Sequence, residues 1–146
     1  MTGQLNARPT MLFWFISGAA LIWNLFGMMI YVSQVSATPE QLAEAYLPEQ
    51  VEFMLATPQW ATAAFALAVT TGVLACILLL LRKSWALPLF IVSLAAVFVQ
   101  NVNTFVLNDA AALFGMVPVY IQSAIIVIGA GLIGYTRYCR SRGWLD

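Results

Sequence analysis

Four runs of residues, 11–32, 60–81, 85–107 and 117–135, occupy most of this chain and contain no Asp, Glu, Lys or Arg. Each is close to the roughly 20 residues an α-helix needs to cross a ~30 Å hydrocarbon core. A helix also satisfies its backbone N–H and C=O groups internally, as lipid requires. The runs predict an all-α membrane protein: a four-transmembrane-helix bundle forming a single transmembrane domain over 1–146. Composition agrees, with 62% hydrophobic residues, 8% charged residues and a mean hydropathy of +0.89. Soluble domains carry about a quarter charged residues, so a water-facing surface could not be covered here.

The few charges are sorted by position. With four spans, Arg8, Arg82, Lys83, Arg137, Arg140 and Arg142 all fall at one end, whereas Glu40, Glu44, Glu49, Glu52 and Asp109 fall at the other. Only Asp146 joins the bases. By the positive-inside rule the basic end is cytoplasmic, which predicts a multi-pass protein of a bacterial inner membrane with both termini inside. Trp14, Tyr31, Trp60, Trp85, Tyr135 and Tyr138 sit near span ends, as interfacial aromatic belts do. A cleaved signal peptide is the rival reading of the first run, since Val35-Ser36-Ala37 resembles a cleavage site. The run exceeds a typical apolar signal core and carries Asn24 at mid-depth, which favours a retained first helix.

Residues 33–59 form the one long loop, with legible helix signals. Thr38-Pro39-Glu40-Gln41 has the form of a capping box with proline at the first helical position, Pro48 opens another turn, and Thr57-Pro58 repeats the cap-then-proline signal before the second span. Leu42, Ala45 and Tyr46, then Val51, Met54 and Leu55, alternate with glutamates at helical spacing. Short amphipathic helices on the outer membrane surface are expected, either as a solvated tether or as an acidic lid over a pocket.

Inside the spans the polar residues are uncharged, so the usual marker of ion-coupled transport is missing. At about 100° per residue, Ser93, Val97, Gln100 and Thr104 form a stripe on the third span flanked by Asn101 and Asn103, and Ser17, Asn24 and Tyr31 share a face of the first. Two outcomes are open: these side chains tie neighbouring helices together, or they converge on a solute-lining pocket made by Trp23, Asn24, Gln100, Asn103 and Thr104. Small residues at Ala64, Ala68 and Gly72 on the second span and at Ala130 and Gly134 on the fourth predict close helix packing, within the monomer or between subunits.

Several function classes are disfavoured. There is no histidine, no metal-ligand cluster, no nucleophile with a paired base and no phosphate-cradling glycine loop, so neither an enzyme nor a metal or other cofactor is expected. Nothing suggests nucleic-acid binding, because net charge is zero and no basic stretch is interleaved with aromatics. Of the two cysteines, Cys76 reads as core filler and Cys139 as a reduced surface thiol.

The segments Trp23-Asn24-Leu25-Phe26-Gly27, Thr57-Pro58-Gln59-Trp60-Ala61-Thr62-Ala63-Ala64-Phe65-Ala66, Leu81-Arg82-Lys83-Ser84-Trp85-Ala86 and Arg140-Ser141-Arg142-Gly143-Trp144-Leu145 resemble a family of small bacterial four-helix inner-membrane proteins. That family often carries the loose label "sugar transporter". The resemblance covers nearly the whole chain and brings no agreed catalytic or binding residues. Together these features lead to the expectation of a lipid-embedded protein that binds or passes a small polar solute, as a homo-oligomer. The alternative is an accessory or structural subunit of a larger membrane complex.

Overall fold

A computed structural model describes residues 8–145, leaving the expected pairing of Asp146 with the basic end outside the described residues. Every element is helical: α1 (Met11–Ser36), α2 (Pro39–Ala45), α3 (Pro48–Leu55), α4 (Gln59–Leu80), α5 (Ala86–Asn101) continued by a π-helical segment (Val102–Leu107), α6 (Ala110–Phe114) and α7 (Val117–Ser141). Four helices, α1, α4, α5 with its π extension, and α7, are long and apolar enough to cross a membrane. The chain has the build of a multi-pass membrane protein whose spans meet lipid.

Two spans outrun their sequence bounds. α1 continues to Ser36 because no breaker intervenes before Pro39, and its 26 residues span about 39 Å. α7 continues past 135 to Ser141 because its first stop is Gly143. There the N–H of Trp144 bonds the Cys139 carbonyl at 3.1 Å and the N–H of Gly143 bonds that of Arg140 at 3.1 Å, which is a Schellman ending. Gly143 takes φ 75°, a left-handed conformation open to a residue without Cβ. α4 ends the same way, with Lys83 N bonding Leu78 O and Arg82 N bonding Leu79 O. Arg82 holds the left-handed position there, at φ 61°.

Packing follows chain order. α4 lies between α1 and α5, and α7 leans mainly on α5. Ala64, Ala68, Thr71, Gly72 and Ala75 are buried along α4, and the face shared by Ser17, Asn24 and Tyr31 turns toward it, with the Tyr31 ring 5.2 Å from that of Phe65. On α7, Ala130 and Gly134 are exposed within the single chain, and Gly129 meets α5 through Leu94.

The basic end is closed. Beyond the Gly143 turn, Trp144 and Leu145 fold inward, each 6% exposed, against a core that includes Phe13, Leu79, Ala86 and Cys139. The Trp144 ring meets Phe13 edge-on at 5.9 Å and Tyr138 at 5.7 Å. Arg82 Nε donates to the Trp144 carbonyl at 2.8 Å, tying the α4–α5 connection to this plug. Cys139 is consequently buried, which corrects the reading of it as a surface thiol.

Candidate functional site

The acidic end is built by the loop. Thr38 caps α2 in the expected reciprocal box, accepting from Gln41 N at 3.2 Å while its own N–H bonds Gln41 Oε1 at 2.9 Å. Pro48 starts α3, and Gln50 Oε1 accepts from the Leu47 N–H at 3.1 Å. Thr57 does not cap the next helix as anticipated. Pro58 occupies that position, and the Thr57 hydroxyl turns back toward the Phe53 carbonyl at 3.5 Å.

The loop docks onto the opposite helical connection. Phe53 and Tyr46 pack edge-on against Phe114 at 5.5 and 6.5 Å, and Gln50 Nε2 donates to the Leu113 carbonyl at 3.2 Å. α6, which supplies Leu113 and Phe114, starts after Asp109 in a left-handed turn at φ 47°, a conformation Asp tolerates better than most residues. The loop's apolar side thus packs against protein, where a membrane surface was expected to cover it.

Between α3, the π segment and α6 lies a cavity of about 310 Å³, lined by Glu49, Glu52, Phe53, Ala56, Thr57, Asn103, Asn108 and Leu113. Glu49, Glu52, Phe53 and Ala56 recur at i, i+3, i+4 and i+7, so one face of α3 supplies the roof. The π segment supplies Asn103, which is only 4% exposed. Asn108 Nδ2 donates both to the Asn103 backbone carbonyl at 2.7 Å and to its Oδ1 at 2.9 Å. π-helical turns are rare and often accompany functional positions.

A second cavity, of about 40 Å³, lies deeper between α1, α5 and α7, beside Trp23, Asn24, Ser93, Val97, Ile128 and Gly129. It has room for a water molecule, whose share of liquid volume is about 30 Å³, and is far below the roughly 300 Å³ where ligand pockets begin. Asn24 acts here as a helix tie: its Nδ2 donates to the Ala20 carbonyl at 2.8 Å and to Cys76 Sγ on α4 at 3.3 Å. Ser93 makes the matching tie from α5, donating to the Ala68 carbonyl at 2.7 Å.

The anticipated solute-lining set is therefore divided. Asn103 lines the large cavity, Trp23 and Asn24 line the small one, and Gln100 and Thr104 line neither, the Thr104 hydroxyl bonding back to the Gln100 carbonyl at 3.1 Å. Sequence reasoning did not gather Glu49, Glu52, Phe53, Thr57 and Asn108 into a site. Their signal was present in the helical spacing of 49, 52, 53 and 56 behind the recognised start at Pro48. No family model, curated protein or solved structure matches the chain.

Proposed function

We propose that this protein receives a small polar solute in the cavity at its acidic end, from the extracytoplasmic side of a bacterial inner membrane. The observation that carries this reading is the 310 Å³ cavity itself, which gathers carboxylates, amides and a hydroxyl between α3, the π segment and α6. That volume lies at the lower end of the range for small-molecule sites. The positive-inside rule supports the orientation, because no Lys or Arg occurs between 9 and 81 or between 84 and 136. Passage requires a path past the helix ties at Asn24 and Ser93 as well as past Trp144 and Leu145.

Thr57 gives a direct test. A Thr57→Cys variant in intact cells is expected to react with a membrane-impermeant maleimide, and the attached group should abolish solute binding by the purified protein in nanodiscs. Labelling only after the cytoplasmic face is opened, or binding untouched by the attached group, would overturn the proposal.

A second reading, a non-catalytic subunit of a homo-oligomer or larger complex, is favoured by the exposed Ala130, Gly131 and Gly134 on α7. Small residues allow close helix approach in lipid. It predicts that Gly134→Leu lowers the particle mass measured in mild detergent to that of a single chain, with the helical content unchanged. A wild-type mass already equal to one chain would argue against it.

A further inference from the structure

Resting on the reading of the acidic-end cavity as a solute site, we infer that its ligand is a small hydroxylated amine: a cation that also carries a neutral hydrogen-bond acceptor. Charge supplies the first half of this specificity. Glu49 and Glu52 line the cavity from one face of α3, and the sequence places no Lys or Arg at that end to neutralise them. Phe53 adds an aromatic wall beside the carboxylates, a surface that attracts ammonium groups.

Asn103 supplies the second half. Asn108 Nδ2 donates to the Asn103 backbone carbonyl, which fixes the orientation of the Asn108 amide, since its oxygen could not donate there. The same Nδ2 then requires the oxygen of the Asn103 side chain to face it. The Asn103 Nδ2 is left as a donor with no protein acceptor, on a residue 96% buried that lines the cavity. That donor reaches the cavity, where it is open to an acceptor from outside the chain.

The two halves together exclude simpler occupants. A carboxylate would satisfy the Asn103 donor and be repelled by Glu49 and Glu52. A bare divalent cation would suit the glutamates and leave the donor unfilled; among the described residues no group of three or more His, Cys, Asp or Glu assembles to hold one. A neutral polyol would fill the donor and leave the carboxylates without a counter-charge.

Three compounds of nearly the same shape separate these demands: serinol has an ammonium and two hydroxyls, glycerol replaces the ammonium by a hydroxyl, and isopropylamine replaces both hydroxyls by hydrogen. Titration calorimetry on the full chain in nanodiscs at low salt is expected to show serinol binding about 10-fold tighter than glycerol. It should bind about 5-fold tighter than isopropylamine. The Glu49→Gln/Glu52→Gln variant should erase the first difference and Asn103→Ala the second. The ligand series in the wild type stands without either variant.

If glycerol binds as tightly as serinol, the cation requirement fails while the polar-solute site survives. If isopropylamine equals serinol, or Mg²⁺ displaces serinol at equal concentration, the acceptor requirement fails. Absence of binding by all three at tens of millimolar, together with Thr57→Cys labelling that no solute in a wider panel slows, removes both this inference and the site beneath it.

Discussion

Trp144→Ala is expected to destabilise the protein by about 3 kcal/mol, at the lower end of losses for buried aromatics cut to alanine. It should also convert Cys139 from a silent thiol into one that maleimide modifies. The ring is 6% exposed and touches Phe13 and Tyr138 edge-on, while Leu145 and Cys139 share its core. Alanine keeps the backbone N–H that bonds Cys139 O and the carbonyl that accepts from Arg82, so the substitution removes the ring and spares the turn. Because this plug lies at a membrane boundary, where water replaces the lost ring, the loss follows aqueous transfer more closely than a change in mid-bilayer would. SDS titration monitored by helicity reads the first effect, and alkylation rate the second. An unchanged midpoint with Cys139 still silent would show that the plug contributes little.

Gly72→Ala is expected to cost about 2 kcal/mol, within the range for overpacking a close contact. A Cβ on Gly72 would run into Asn24 Oδ1 and lie 3.3 Å from Ser93 Oγ. Asn24 can move only by giving up its bond to Cys76, so an added methyl unties α1 from α4. Adding Asn24→Ala to Gly72→Ala makes room for the methyl, and the pair should fall short of the summed losses by about 1 kcal/mol. The same SDS titration on the four members of the cycle measures this coupling. Strict additivity would mean that Asn24 is not what the methyl displaces.

These two sites show what could be read from the chain beforehand. Four spans followed from four uncharged runs, and the capping box at Thr38 and the restart at Pro48 were visible because caps are local. Ala64, Ala68 and Gly72 stood out by spacing, but their partners did not, since nothing in α4 names Asn24. The polar stripe on the third span was drawn with α-helical periodicity through Gln100 and Thr104. The π segment turns fewer degrees per residue from Val102 onward, which takes Thr104 off the line of Ser93, while Gln100 lies before the change of winding. The inward fold of Trp144 was hidden for another reason: a short apolar tail after three arginines gives no period, and only the Gly143 stop hints at its return.

The order of helix contacts bears on how the molecule can be made. Each principal interface joins spans that are neighbours in the sequence, α1 with α4, α4 with α5, α5 with α7. Every hairpin can therefore close as soon as its second arm has left the ribosome, with little chain to bring together over long separations. Some contacts reach further along the chain, among them those of Phe53 with Phe114 and of Phe13 with Trp144, the latter joining the first span to the segment after the fourth. Until residues 143–145 are synthesised, the Phe13 end of the first helix lacks this covering, so its closure follows that of the hairpins.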